Sequence, residues 1–347
     1  MKILSVWTFG SNEIQSLLGK IYPGSHSINF FSACKSKGQD AAFKELFELL
    51  EEKPDIVLLF QFYDRLGDKS RHEEFIKQAM KTSEVYLYVH DTPTRIDDFS
   101  EWSIFSKVFT PNFNRSQMFR KIGVNAEFLP SACSETYHIS RTPFNENTKL
   151  VKSVCFFVSW LKLNSPSGPL DKQVDRRIYL EKLLQRQIPI DFYGPEGVKL
   201  RIDEMDMDKT LLAFHGKKDF YSLNDLSTSC VIFNGILYAG ELSINRRFYI
   251  ALGIGATQLY PVCQYFDEFC NAFFGEVPSK EETPVVLFDN PDDFALKAEQ
   301  LLIEPKSQTF ARRKKAVEYR EKWTFSDVVK VLGGDNENPS KFMELKK

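Results

Sequence analysis

Short runs of apolar residues alternate with helical stripes along the first 130 positions. Ile3 to Trp7 (ILSVW), Ser27 to Phe31 (SINFF), Asp55 to Phe60 (DIVLLF), Glu84 to Val89 (EVYLYV) and Lys107 to Thr110 (KVFT) read as strands buried on both faces. Between them, Phe43, Leu46, Phe47 and Leu50 fall at helical spacing within a Lys- and Glu-rich segment, the mark of an amphipathic helix. Asn114 to Ile122 predicts a second helix, stopped at Gly123 and followed by a strand from Ala126 to Leu129 before Pro130. Strands and helices in alternation predict an open parallel sheet covered on both sides.

The polar stretch from Ser131 to Lys149 interrupts this rhythm and marks a hinge. A second alternation follows. Strands are expected at Lys152 to Val158, Ile188 to Tyr193, Cys230 to Asn234, Thr257 to Tyr260 and Pro284 to Phe288. Helices are expected at Val174 to Gln187, Ile244 to Leu252, Asp292 to Leu302 and Gln308 to Trp323. The expected organisation is an α/β chain of two doubly wound domains, 1–140 and 150–305, then a closing helix over 306–332 and a polar, fraying tail over 333–347. Two such domains facing across a cleft would bind ligands there, because strand ends, loop amides and helix N-termini converge on it.

Length and charge narrow the function. The 347 residues exceed twice the roughly 150 of a common domain. The 45 Lys+Arg against 47 Asp+Glu leave no large basic field, which argues against nucleic acid as the main partner. Small anions need only a few local arginines. No apolar run reaches the roughly 18 residues of a membrane span, and the apolar stretch near Met1 is too short for a signal-peptide core. Cys34, Cys133, Cys155, Cys230, Cys263 and Cys270 are scattered without a CxxC pair, so reduced thiols, a cytoplasmic location and no zinc are expected.

The segment Cys230 to Pro261 holds the clearest candidate chemistry. A strand ends at Asn234, a loop runs to Gly240-Glu241, and Ser243 is positioned to cap a helix with Asn245, Arg246 and Arg247 in its first turn. Helix-terminal amides and a guanidinium suit a diphosphate. Arg247 shares the stripe of Ile250, Ala251 and Ile254 and so points inward, while Arg246 is expected to face solvent. A surface arginine whose stem lies over the core would give the same local pattern.

The run from Asn245 to Ala256 (NRRFYIALGIGA) resembles the motif of the CgeB-like, spore-maturation type of glycosyltransferases, with Asn234 matching an upstream Asn. Val89 to Pro93, Lys107 to Thr110, Gly123, Leu129 to Ala132 and Tyr137-His138 follow the order of that family's first half. Phe157-Val158, Arg177 with Leu180 and Leu183, Phe192 to Gly194, and Tyr319 to Phe325 follow its second half. The resemblance spans most of the chain, and the order of its short motifs is more specific than any one of them.

It implies a GT-B fold of two Rossmann-like domains and a metal-independent transfer of sugar from a nucleotide-diphosphate donor, with no separate cofactor, to a glycan, lipid-linked or protein acceptor. The closing helix would cross back to the first domain. Arg247, Asn245, Asn234, Glu241, Tyr238 and Ser159 are assigned to the donor side, and Arg247 would neutralise charge growing on the leaving nucleotide. Ile250 stands where the family has Glu, and Ser159-Trp160 stand where it has glycine, so a catalytically inert binding or assembly subunit is the alternative reading.

A general base is expected in the first domain. Asp91 and His90 follow a predicted strand there, although Asp91 capping a turn and a structural His90 explain them equally. Gly10 and Ser11, in the loop after the first strand, and His138 beside Glu135 are assigned to the acceptor side. His26, His72 and His215 lie in polar contexts and carry no signal. Glu204 to Asp208 contains a DxD, read as the solvated first turn of a helix before a helix-like Thr210 to Phe214. Arg312 to Lys315 form a basic cluster that fits either peripheral contact with an anionic membrane or the wet face of a helix.

Overall fold

The computed structural model describes residues 1–7, 12–60, 69–89, 100–135, 151–157, 176–194, 196–203, 209–216, 229–233, 241–244, 246–277, 282–335, 337–340 and 343. The chain divides into two compact units, residues 1–131 with 325–347, and residues 132–324.

The first unit is built on a six-stranded parallel sheet in the order β2-β1-β3-β4-β5-β6. Its strands are β1 (Ile3–Trp7), β2 (His26–Asn29), β3 (Ile56–Phe60), β4 (Glu84–Tyr88), β5 (Lys107–Thr110) and β6 (Ala126–Phe128). Every residue of β1 and β3 is buried, as continuous apolar runs require of a sheet covered on both faces. Leu4, Val6, Val57, Leu59, Val85 and Leu87 point to one side. There they meet α2 (Phe30–Lys37), α3 (Gln39–Glu51) and α4 (Lys69–Ala79) through Phe30, Phe43, Leu46 and Phe75.

The strand expected through Phe31 stops at Asn29. The Asn29 side chain accepts from Ser32 N at 3.0 Å and so caps α2 one residue later. Asn112 caps α5 (Phe113–Lys121) in the same way, accepting from Arg115 N at 3.0 Å.

The first unit is closed by the end of the chain. α12 (Phe325–Leu332) packs on α1 (Asn12–Ile21). A Cβ on Gly333 would lie 2.1 Å from the Tyr22 hydroxyl, so only glycine allows this approach. Part of the tail is docked on the first unit. Asn338 donates to Phe128 O at 2.8 Å and to Glu127 at 3.2 Å, and Asn338, Ser340 and Met343 are buried. A polar tail docks here because its amide satisfies a sheet-end carbonyl.

The second unit has its own six-stranded parallel sheet, β12-β11-β10-β7-β8-β9. It comprises β7 (Val151–Phe157), β8 (Ile190–Tyr193), β9 (Leu212–Phe214), β10 (Ser229–Phe233), β11 (Thr257–Pro261) and β12 (Val285–Phe288). One face packs Val154, Phe156, Phe192 and Phe233 beneath α6 (Arg176–Gln185) and α10 (Pro291–Ile303). The other sets Cys155, Tyr193 and Ile232 beneath α8 (Arg246–Gly253). The remaining helices are α7 (Glu196–Asp203), α9 (Phe266–Phe274) and α11 (Lys306–Lys322).

Three expectations change here. The helix-like Thr210 to Phe214 is the edge strand β9, paired in parallel with β8. The closing element is not one helix, because Trp323 is extended at φ −146 and Thr324 pairs with Cys133, so α11 stays with the second unit and only α12 belongs to the first. The basic cluster on α11 turns inward. Arg312 pairs with Glu304 at 3.1 Å and donates to Thr283 O, Arg313 is buried over Gly255, and Lys315 pairs with Glu276 and Glu318. Of these four, Lys314 alone is exposed.

Candidate functional site

In the second sheet the chain starts at β7 and steps outward to β8 and β9. It then returns to the other side of β7 for β10, β11 and β12. The order therefore reverses between β7 and β10, the position where open α/β sheets hold ligands at their carboxyl ends. The next described helix after β7 is α6, and the next after β10 is α8. Both present an arginine in the first turn.

Arg176 is the first residue of α6 and is 6% exposed. It shares a face with Tyr179, Leu180 and Leu183, all buried against the sheet. Arg247 is the second residue of α8 and shares a face with Ile250, Ala251 and Ile254 on the opposite side of the sheet. The two cations thus reach the same sheet edge from its two faces.

Their electrostatics register the crowding. Burial lowers the Arg176 guanidinium from the usual arginine range to about 10. Burial, and then the like charge of Arg176, lower Arg247 to about 9, with Cys155 pulling weakly the other way. Two desolvated guanidiniums beside two positive helix ends raise the local potential, and an anion carrying two or more charges answers it. Arginine suits this better than lysine, because its planar fork matches phosphate oxygens pairwise.

Of the residues assigned from sequence, Arg247 lies in the first turn of α8. Glu241 is half-buried on the segment leading into α8, held by the fully buried Leu242 and Ile244. Asn234, Tyr238, Asn245 and Ser159, and on the acceptor side Gly10, Ser11, His90, Asp91 and His138, lie outside the described residues, as does the DxD segment. Ser243 is not the cap of α8, which begins at Arg246; its carbonyl instead accepts from the Tyr260 hydroxyl at 2.9 Å. Arg246 is half-buried, with its Nε out of solvent, and does not face water as expected.

Ile250, which stands where the motif it resembles has an acid, is 1% exposed and packs with Cys155 and Ile232. A carboxylate there would be buried in the core. Arg176 escaped the sequence reading, which singled out its neighbour Arg177. The signal was present, since Arg176 stands to Leu180 and Leu183 as Arg247 stands to Ala251 and Ile254.

Among the described residues no three His, Cys, Asp or Glu side chains gather as a metal-binding group. None of the described helices is long and apolar enough to cross a membrane.

Two Rossmann-like α/β units, each on a six-stranded parallel sheet, make up the GT-B architecture. The structure is similar to the N-terminal domain of trehalose-6-phosphate phosphatase from Candida albicans, with a TM-score of 0.57, 10% identity and 96% of each chain covered. It is similar also to the UDP-forming alpha,alpha-trehalose-phosphate synthase from Burkholderia xenovorans solved with glucose-6-phosphate. There the TM-score is 0.52 at 11% identity, covering 86% of this chain and 78% of that one. Identities this low speak for the fold alone. No protein-family model and no curated protein sequence matches the chain.

Proposed function

We propose that this protein is a glycosyltransferase of the CgeB-like kind that moves a sugar from a nucleotide-diphosphate donor to a glycan, lipid-linked or protein acceptor. The observation that carries the reading is the pair of first-turn arginines, the buried Arg176 and the half-buried Arg247, at the β7/β10 edge. The donor diphosphate bridges them. As the bond between the anomeric carbon and the diphosphate oxygen breaks, its electron pair stays on that oxygen, and the guanidiniums neutralise the growing charge. The acceptor hydroxyl forms the new bond to the anomeric carbon and gives up its proton.

Fixed cations in a poorly solvated site interact more strongly than they would in water and need no reorganisation. They supply the positive charge that a metal ion supplies in other transferases, so we assign no metal to the reaction. The donor belongs to the second unit. The acceptor belongs to the first, where Asp91 or His90 is the proposed base. The free thiols of Cys34, Cys133, Cys155, Cys263 and Cys270 fit a cytoplasmic enzyme.

Ile250 favours a second reading, a GT-B-fold protein that binds a nucleotide without turnover. A melting-temperature panel with UDP, GDP, ADP, CMP and their sugars tests the site. A nucleoside diphosphate is expected to raise the midpoint of the parent and to leave Arg176→Met and Arg247→Met unmoved. Release of nucleoside diphosphate from its sugar then separates transferase from binding subunit. A flat panel would overturn both readings.

A further inference from the structure

We infer that Arg320 is a positioning residue for Arg247, acting through the helix that carries it. This role rests on the diphosphate site proposed above. α8 is only eight residues long, about 12 Å, with Arg247 in its first turn and Gly253 at its end. Its stripe of Ile250 and Ala251, continued by Ile254, presses it onto the sheet. Apolar burial is non-directional, so it sets the distance from the sheet better than the position along the helix axis.

Hydrogen bonds to the carbonyls of α8 supply the missing direction. Past its last turn the chain reverses at Gly255, where Gly255 N donates to Leu252 O at 3.0 Å and Ala256 N to Ala251 O at 2.9 Å. Those bonds leave Gly253 O to a donor from outside the helix. Arg320 Nη1, from the last turn of α11, donates to it at 3.3 Å and brings a cation to the negative end of the helix dipole. The Arg320 side chain is 17% exposed, whereas its carboxylate neighbour Glu321 is 69% exposed, so the carbonyl is the inward contact. Arg313, two turns earlier on α11, lies so close to Gly255 that a Cβ there would stand 2.9 Å from its Cγ. Farther up α8, Gln258 Nε2 donates to Phe248 O at 3.2 Å and Cys133 Sγ to Tyr249 O at 3.3 Å. Of these three side-chain bonds, that from Arg320 holds the end farthest from Arg247.

A hydrogen-bonded helix slides along its axis as a unit, so slack at Gly253 becomes displacement at Arg247. A misplacement of about 1 Å is enough to cost on the order of a hundredfold in rate. An arginine that merely stiffens the second unit would change its melting temperature and leave ligand affinity alone.

Titration calorimetry with inorganic pyrophosphate, UDP, GDP and ADP separates the two roles, on the parent, Arg320→Met, Arg320→Lys and Gly255→Ala, each at a temperature where it is folded. Arg320→Met is expected to weaken pyrophosphate and nucleoside diphosphate alike, by roughly tenfold, because the displaced group meets the phosphates. Arg320→Lys keeps a charged donor for Gly253 O and is expected to recover most of the loss. Gly255→Ala disturbs the same joint without removing a charge and should weaken both ligands, which keeps the role testable if Arg320→Met does not fold. Arg186→Met breaks the exposed pair with Glu299 in the same unit and should bind as the parent does. Parent affinity in every folded variant of the joint, a loss that Arg320→Lys does not recover, or an equal loss in Arg186→Met would overturn the positioning role while leaving the arginine site standing. A parent that binds neither pyrophosphate nor any nucleoside diphosphate removes the arginine site and the positioning role with it.

Discussion

Replacing Arg247 by methionine is expected to make the ligand-free protein more stable. The guanidinium is lowered from the usual arginine range to about 9, by burial first and Arg176 second. At about 1.4 kcal/mol per pH unit, that fall corresponds to a cost on the order of 5 kcal/mol for holding the charge where it is. Methionine keeps most of the apolar stem over Ile250 and Ile254 and drops the charge. Relaxation and water penetration reduce that cost, so a gain of about 2 kcal/mol is expected. In a unit of this size that is a rise of roughly 4–8 °C.

The sign follows from proton linkage. A cation whose folded value lies below its unfolded one is fully protonated in both states below about pH 9, so the whole penalty is present at neutral pH. It is relieved only as pH climbs above about 9 toward the usual arginine range, where the folded state sheds its proton first. Melting at pH 7.5, with and without nucleoside diphosphate, reads both halves of the prediction. The variant should melt higher than the parent when free and lose the ligand-induced shift. A variant that folds but melts lower without ligand would refute the reasoning, because the arginine would then be a structural member of the unit.

Arg176→Met should stabilise for the same reason, and because each charge burdens the other, the double variant should gain less than the sum of the singles, measured by a thermal double-mutant cycle. Burial and then Asp267 raise the Cys263 thiol from 9.0 to about 12. Its contribution is therefore whole below pH 9 and lost as pH rises toward 12, and Cys263→Ala should flatten the decline in melting temperature across that window. Gly255 sits at φ +73 with a would-be Cβ 2.9 Å from Arg313 Cγ, so Gly255→Ala should cost about 2 kcal/mol in denaturant titration. Asn338→Ala removes the bonds to Phe128 and Glu127 and should open the tail to limited proteolysis with the rest of the chain protected.

The strands were legible because parallel strands buried on both faces form unbroken apolar runs; β1 and β5 coincide with their expected bounds. β9 was not, because an edge strand with half-exposed Leu212 and Phe214 around an exposed Ala213 has no such run. α9 carries a regular stripe in Phe266, Phe269, Cys270, Phe273 and Phe274, but its entry lacks a polar cap, since Tyr265 turns the chain in the left-handed region at φ +70. The site divides along the same line. Arg247 could be found from its own helix, because the inward stripe is local. Its pairing with Arg176 depends on β7 lying beside β10, a long-range fact that no helical periodicity contains.

The docking of α12 and the tail on the first sheet bears on the order in which the molecule can be made. Residues 132–324 are continuous, so the second unit can complete itself as soon as it leaves the ribosome. The first unit begins emerging earlier yet waits for α12, Gly333 and Asn338, which are synthesised after the whole of the second. Its α1 face stays uncovered during that interval. The half of the protein translated first is the last to finish folding.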